Sequence, residues 1–267
     1  MANYNNRDES NEKYGQVREL TLFGGYSNSS DKFPTNKIWS SRFSTKSVVP
    51  TSIFEQILNQ SNIWFLFIVI LSFVYHEGSY WNSLSRLIPL IFILGLNLSK
   101  DILSFIQQRK TDKKFNLEKY LAWNGQEFEE KLSMDLQVGD ILLIFDDRLI
   151  PADLLLLCTD NPKECFADTF SVLGERNLQL KKPVKDTQAA LYGDDLVEVF
   201  TNLKRINGQI VVLNKSKAQD FTGKIRLRIC PRATRLTYEN LLLKGTIVNN
   251  AHWTIGYILY TGPETCF

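Results

Sequence analysis

Cysteine and histidine are the side chains of this sequence that could form a metal site or a disulfide framework. The four cysteines and two histidines form no Cys-x-x-Cys pair and no mixed cluster; they are Cys158, Cys165, Cys230, Cys266, His76 and His252. This spacing argues against zinc binding and against a set of disulfides. We therefore expect reduced thiols that act as small apolar residues, no metal site and no bound cofactor.

Two groups of polar residues are further candidates for chemistry. Glu175 follows Gly174, and a Gly-Glu pair taken alone is typical of an ordinary turn. Asn97, Lys100 and Asp101 lie near one end of an apolar stretch. Polar side chains there can mark a pathway, a lipid contact or a partner contact, and the simpler interpretation is a lysine that extends its ammonium to water from the end of a helix.

Two apolar segments must position this second group. The first extends from Ile53 to Tyr75, and as a helix it would span roughly 35 Å, enough to cross the hydrocarbon core of a bilayer. The second extends from Leu84 to Ile106. A short connector with Gly78 and two aromatic residues separates them. The sequence therefore predicts a transmembrane helical hairpin over residues 53–106, although the mean hydropathy of the whole chain is only −0.16.

Positive charges lie beyond both outer ends of the predicted hairpin, and its connector has none. They are Lys32, Lys37, Arg42 and Lys46 before the first segment, and Lys100, Arg109, Lys110, Lys113 and Lys114 at the end of the second. The positive-inside rule places both termini on the cytoplasmic or matrix-equivalent side. The mitochondrial inner membrane and an endomembrane both stay open. A net charge of +2 without a basic stripe argues against nucleic acid as a partner.

The pattern of apolar residues outside the hairpin differs from the pattern within it. Short apolar runs such as Ile141–Phe145 and Leu154–Cys158 have the length of strands and are separated by turn signals such as Asn124-Gly125. The fold class predicted is an α+β membrane protein, with a two-helix hairpin and a mostly-β domain. The predicted divisions are a polar tail at 1–35, a cytoplasmic approach segment at 36–52, the hairpin at 53–106, a helical stalk at 107–119 and the β-rich domain at 120–267.

Two turns in the β-rich domain carry the most distinctive local sequence. Gly139-Asp140 leads into one apolar strand, and Pro151-Ala152-Asp153 leads into the next. Taken alone, both are structural turns. At this spacing, however, they resemble the actuator domain of P-type ATPases, and the surrounding sequence resembles the phospholipid-flippase branch.

The resemblance follows the chain in order from the approach segment to the end of the β-rich domain. The matching strings include Asn36-Lys37-Ile38, Gln60-Ser61-Asn62, Lys100-Asp101, Leu173-Gly174-Glu175 and Tyr260-Thr261-Gly262-Pro263. The ordered series carries more weight than any one string. It implies the first two transmembrane helices of such a pump and an actuator domain built as a distorted jelly roll.

The resemblance also implies a role for Glu175. In these pumps ATP phosphorylates an aspartate in a separate domain, and an actuator glutamate deprotonates the water that attacks the aspartyl phosphate. Glu175 matches that glutamate, and Gly174 would allow close backbone approach. Here, however, Leu173 replaces an aspartate and Arg176 replaces a threonine. Because a neighbouring cation lowers a carboxyl pKa, Arg176 would weaken Glu175 as a base, so we expect a relic dephosphorylation loop with no active catalytic residue.

Missing motifs limit the function further. The sequence contains neither the Asp-Lys-Thr-Gly-Thr string of the phosphorylated aspartate nor a Gly-Asp-Gly-x-Asn-Asp magnesium motif nor a P-loop. We therefore expect no direct ATP binding and no catalysis by these residues alone.

Three functions stay open. The favoured one is a pseudoenzyme: a flippase-like accessory subunit that contacts membrane lipids and other subunits of a larger membrane complex, with an energy-transducing organelle complex as a candidate host. The second is the N-terminal fragment of an active phospholipid-translocating ATPase. The third is a regulatory module that binds anionic lipid headgroups. The altered residues around Glu175 favour the first over the second.

Overall fold

The computed structural model describes most of the chain. The described residues are 17–22, 33–40, 47–74, 85, 87–161, 165–170, 174, 178–193, 195–213, 220–230 and 232–265. Glu175 and most of the polar tail lie outside them, as do the hairpin connector and Cys266. The chain divides into two compact units: residues 1–37 together with 116–267, and residues 38–115.

The structure contains helices in both units and strands in the first. The helices are α1 (Val48–Ile57), α2 (Gln60–Val74), α3 (Leu87–Asn116), α4 (Lys185–Leu191) and α5 (Leu196–Leu203). The strands are β1 (Val17–Leu22), β2 (Lys119–Trp123), β3 (Phe128–Leu132), β4 (Ile141–Phe145), β5 (Asp153–Thr159), β6 (Cys165–Asp168), β7 (Leu178–Lys181), β8 (Gly208–Leu213), β9 (Gly223–Leu227), β10 (Thr234–Leu236), β11 (Leu241–Leu242), β12 (Ile247–Asn249) and β13 (Trp253–Tyr260).

A six-stranded antiparallel sheet, ordered β11-β5-β13-β4-β2-β3, forms the centre of the β-rich unit. Every residue of β5 is buried, and β13 pairs with both β4 and β5. A strand that is covered on both faces needs a continuous apolar run instead of an alternating one. The run Leu154–Cys158 meets that requirement, which is why the sequence identifies this strand clearly.

Two smaller sheets complete the unit, with the orders β12-β6-β7 and β1-β8-β9-β10. The α+β class with mostly-β architecture is therefore confirmed. Strand β1 lies in the stretch that was expected to be a polar tail. Its alternation explains the pairing with β8, because Leu20 and Leu22 are buried while Glu19 and Thr21 are exposed.

The helical unit departs from the expectation of one straight helix over Ile53–Tyr75. The axes of α1 and α2 differ by 70°. Asn59 explains the break, since its carbonyl accepts the N–H of Ile63 at 3.0 Å and its side chain accepts the N–H of Ser61 at 3.4 Å. An asparagine in this position ends one helix and caps the next.

Within the described residues, no single helix combines the length and apolar character needed to cross a bilayer, whereas the bent pair α1 and α2 does so by length and composition. Both α2 and α3 expose large apolar side chains; Trp64 is 61% exposed and Ile91 is 64% exposed. Contiguous apolar surface of this kind indicates an interaction with lipid or protein. The transmembrane hairpin stays a prediction.

Candidate functional site

The β6–β7 hairpin carries the Gly-Glu loop that the sequence singled out. The two strands are antiparallel, with Cys165 opposite Lys181 and Asp168 opposite Leu178. Residues 169–177 connect the two strands in the sequence, and Glu175 is one of them. The two strands belong to the three-stranded sheet β12-β6-β7.

Two contacts define the described part of the loop. Asp168 Oδ1 accepts the backbone N–H of Phe170 at 2.9 Å, and the N–H of Gly174 donates to the carbonyl of Phe170 at 3.0 Å. Gly174 has a φ of +70°, and a Cβ built on it would meet no atom within 4 Å. Backbone conformation, not crowding, therefore explains the glycine. Glu175, Leu173 and Arg176 lie outside the described residues, so the role assigned to Glu175 stays a prediction.

The outer face of this hairpin is apolar. In β7 the usual pattern is inverted: Leu178 and Leu180 are exposed, at 55% and 41%, while Lys181 is buried. Phe170, at the start of the loop, is 48% exposed. The loop is thus bordered by apolar side chains that a docking partner would remove from water.

Polar groups lie at the base of the same hairpin. Lys181 Nζ donates to the carbonyl of Tyr238 at 3.1 Å and lies 3.6 Å from the centre of its ring. Burial lowers the pKa of Lys181 to about 8. At the opposite end of the hairpin, directly after β6, Thr169 is fully buried, and its Oγ1 has no hydrogen-bond partner among the groups described. Sequence reasoning missed Lys181; the signal available was the two leucines on the opposite face of β7.

The Gly139-Asp140 turn has a structural role. Gly139 has a φ of +102°. Asp140 Oδ2 accepts the N–H of Gln137 at 2.8 Å and the ammonium of Lys131 at 2.6 Å. The backbone of Gly139 and Asp140 also pairs with Ile258 of β13. These bonds hold the start of β4 against β13.

The turn Pro151-Ala152-Asp153 contributes to a polar node, which we define as Asn36, Asp153 and Lys244. Asp153 is fully buried, and its Oδ1 accepts the N–H of Lys244 at 2.8 Å. Lys244 Nζ donates to Asn36 Oδ1 at 3.1 Å. Asn36 Nδ2 donates to the carbonyl of Pro151 at 3.0 Å. The node therefore fastens the approach segment to the β-rich unit.

Two opposing effects act on the ammonium of Lys244 in the polar node. Burial lowers the pKa of Lys244, and the carboxylate of Asp153 acts in the opposite direction by favouring the charged ammonium. Asn36 is also fully buried. A buried amide that both donates and accepts is stabilising because few alternative partners exist in the interior.

The third predicted group lies on α3 in the helical unit. Asn97, Lys100 and Asp101 have i, i+3 and i+4 spacing and therefore share one side of the helix. Asp101 Oδ2 accepts the side-chain N–H of Gln56 from α1 at 3.1 Å. Lys100 is exposed. The structure thus assigns Asp101 a contact between helices, and a lipid or partner contact of the group is not tested by it.

The described residues contain no group of three histidine, cysteine or acidic side chains placed to hold a metal ion. Cys158 and Cys165 are unpaired, and burial raises the pKa of each thiol to about 12. Thiols of this kind are unreactive at neutral pH.

Comparisons with known proteins identify the class of sequence to which these elements correspond. The sequence profile of a family described as "Phospholipid-translocating ATPase N-terminal" matches residues 4–80. A phospholipid-transporting ATPase FetA from Mus musculus is 28% identical over 97% of this chain, which corresponds to 21% of its own length. Phospholipid-transporting ATPase IK from Homo sapiens is 27% identical over 88% of this chain and 18% of its own length.

A guanylate cyclase alpha from Plasmodium falciparum is also similar, at 29% identity over 97% of this chain but only 6% of its own length. The chain thus spans about a fifth or less of the curated relatives it matches. The comparisons confirm the sequence resemblance: the chain is similar to the N-terminal region of phospholipid-transporting ATPases. The similarity to phospholipid-transporting ATPases also supports a membrane location.

Proposed function

We propose that this chain is a membrane-anchored actuator module of the flippase type, in a non-catalytic form that serves as a structural subunit of a larger membrane complex. The observation that carries the proposal is a contrast within the β-rich unit. The two structural turns match the family strings, and the aspartate of each accepts a backbone hydrogen bond, whereas the loop around Glu175 carries Leu173 and Arg176 in place of the family residues.

Exposed apolar helices support the membrane anchor. Side chains along α2 and α3 are apolar and exposed, including Phe67 at 50% and Phe92 at 64%. Water contact with this much apolar surface is unfavourable by roughly 25 cal/mol per Å². Lipid or partner helices would remove it, and the cations beyond both outer ends favour a hairpin with both termini on the cytoplasmic side. In this arrangement the side of α3 with Asn97 and Lys100 is available to lipid headgroups or partner subunits.

Arginine scanning tests the membrane anchor. Phe67→Arg and Ile91→Arg each place a charge within a predicted span, so we expect loss of membrane insertion, measured as extraction of the protein by alkaline carbonate. Val197→Arg is the matched control, because Val197 is 74% exposed on α5 in the other unit. Full resistance of both hairpin variants to extraction would contradict the anchor.

Glu175→Gln tests the non-catalytic role. The variant keeps the size of the side chain and removes the carboxylate that would act as the base. We expect unchanged phospholipid transport in membranes from cells that express the chain, and unchanged recovery of its complex after mild solubilisation. Glu127→Gln is the matched control, since Glu127 is exposed at a β-hairpin turn. A large loss of transport for Glu175→Gln alone would overturn the proposal.

One observation favours a second function, the actuator of an active phospholipid translocase. Glu175 itself is retained, and Gly174 keeps the left-handed conformation that shapes the loop. If this function holds, Glu175→Gln should prolong the life of a hydroxylamine-sensitive phosphoenzyme in the transporting assembly. The double change Leu173→Asp with Arg176→Thr should shorten it.

A further inference from the structure

The sheet β1-β8-β9-β10 has a cationic outer face that the linear sequence does not reveal. Ile225 and Leu227 of β9 are buried, whereas Lys224 and Arg226 are exposed, and Arg228 continues the exposed row just beyond the strand. Side chains two residues apart on a strand point to the same side. The three cations alternate with apolar residues in the sequence, and they are therefore neighbours on one face of the sheet.

Strand register places neutral polar groups beside these cations. Gln209 of β8 lies opposite Arg226, and Thr21 of β1 lies opposite Gln209. All three are exposed. The row from Thr21 to Arg226 thus offers a hydroxyl, an amide and a guanidinium side by side.

A cavity of about 390 Å³ lies at this end of the sheet. Its polar lining consists of Thr21, Asn207, Gln209, Arg226 and Arg228. No carboxylate is among the lining residues. The acid on the same face of β1 is Glu19, which lies outside the lining. It is opposite Val211 of β8, and Val211 is opposite Lys224 of β9. The cavity therefore combines two positive charges with hydrogen-bonding groups and has no acid in its wall.

Backbone contacts make the cavity a built feature of the sheet. The N–H of Arg228 donates to the carbonyl of Asn207 at 2.8 Å. A Cβ on Gly208 would lie 2.7 Å from the carbonyl oxygen of Arg226, so a larger residue would push β8 and β9 apart. Within the described part of the chain, neither the Arg226 nor the Arg228 guanidinium forms an ion pair or hydrogen bond.

We propose that this cavity binds a phosphomonoester anion, either a soluble phosphate or the headgroup of a lipid such as phosphatidic acid. Guanidinium groups match the geometry of phosphate oxygens and bind them by charge-assisted hydrogen bonds. The hydroxyl of Thr21 and the amides of Asn207 and Gln209 supply further donors for the remaining oxygens. The site is separate from the Gly174-Glu175 loop and does not depend on its activity.

The test compares two double variants of the full chain that lose the same charge. Arg226→Gln with Arg228→Gln removes the cations of the cavity. Lys224→Gln with Arg235→Gln removes the cross-strand pair of cations outside it. Circular dichroism checks the fold of both, and because all four side chains are exposed, no loss of structure is expected.

Binding is measured with the chain reconstituted in phosphatidylcholine vesicles. One arm adds glycerol 3-phosphate to the solution, one replaces part of the lipid by phosphatidic acid, and one uses phosphatidylserine at equal surface charge. The readout is protection of the β9 amides from hydrogen exchange, followed by titration. We expect the cavity variant to weaken binding about tenfold or more, and the matched variant to weaken it about threefold or less.

The arms distinguish the sources of the phosphate. Protection by glycerol 3-phosphate supports a soluble phosphomonoester, and protection by phosphatidic acid but not phosphatidylserine supports a lipid headgroup. Equal losses in both double variants would show a diffuse electrostatic effect and overturn the site. Protection by none of the three probes would also overturn it.

Discussion

The polar node and the β6–β7 hairpin each contain a lysine that is removed from water, and the contacts of the two lysines differ. In the polar node, half-buried Lys244 lies near the carboxylate of Asp153 and donates to an amide that is itself bonded to the backbone. At the hairpin base, buried Lys181 has a carbonyl and an aromatic ring as its contacts from Tyr238. Burial lowers the pKa of both lysines, and a carboxylate opposes this effect in each case, Asp153 in the node and Glu239 at the hairpin base. Lys181 is the more deeply buried of the two, so burial makes the charge at the hairpin base the more unfavourable one.

The comparison extends to the surfaces of the two regions. Asn36 and Asp153 are fully buried. The hairpin instead exposes Phe170, Leu178 and Leu180 and buries the unpartnered hydroxyl of Thr169. Regions that give up local stability in this way are commonly those that bind or move. We therefore assign stability to the node and interaction to the hairpin, and the following predictions test that division.

Asp153→Ala should have the largest effect on stability. It leaves the N–H of Lys244 without its acceptor and the nearby ammonium without its counter-charge. We expect a loss of about 3 kcal/mol in the free energy of unfolding. Denaturant titration of the purified chain in detergent, followed by tryptophan fluorescence, measures it.

Asp135→Ala serves as the control for this change. Asp135 is exposed, so its loss should alter the free energy of unfolding by about 0.5 kcal/mol or less. Similar losses for the two alanine variants would remove the argument for the node.

Lys181 should make stability depend on pH. Its pKa falls from 10.5 in a model peptide to about 8 in the folded chain, so between these values the unfolded state binds more protons. Stability from this group therefore rises as the pH increases from about 8 to 10.5, by about 1 to 3 kcal/mol. Denaturant titrations at several pH values measure the slope.

Lys181→Met isolates that slope, because methionine keeps a similar length without a charge. Burial also raises the pKa of Tyr120 and Tyr257, which lowers stability at high pH in both proteins, so the difference between them reports Lys181. An unchanged slope in Lys181→Met would show that the lysine is not responsible.

Sequence reasoning anticipated the node better than the hairpin. The apolar run of β5 and the turns at Gly139 and Asp153 depend on short-range patterns, and the structure places each within the central sheet or beside it. Asn36 donates to the carbonyls of Ser133 and Pro151, which lie 97 and 115 positions further along the chain. These contacts could not be predicted from the spacing of residues in the sequence. They depend on which distant segments come together in the folded chain.

The misses have physical causes of the same kind. The bend after Ile57 depends on Asn59. Its capping role was missed because the prediction of this helix considered only the apolar residues. Strand β1 is too short and too polar to be recognised without its partner β8. In β7 and β9 the alternation decides which face a charge occupies, and that assignment needs the register of the sheet.

Gly174→Ala should cost about 1 kcal/mol, because alanine at a φ of +70° is strained even where there is open space for its methyl group. Gly174→Asn should recover part of that loss, since asparagine tolerates the left-handed region. Thermal melting of the two variants gives the comparison. Equal melting temperatures for wild type and Gly174→Ala would mean that the loop is not held in this conformation.

Leu178→Ser with Leu180→Ser should have the smallest effect on stability and the clearest effect on assembly. Both leucines are exposed on β7, so the free energy of unfolding should change by about 0.5 kcal/mol or less. If the hairpin is a docking face, recovery of the complex after mild solubilisation should fall, because the partner loses its apolar contact. Ile229→Ser is the control, since Ile229 is 68% exposed but lies beyond β9. Unchanged recovery with both leucines replaced would assign the exposed apolar face of the hairpin no part in assembly, and the division between a stable node and an interacting hairpin would then rest on Lys181 alone.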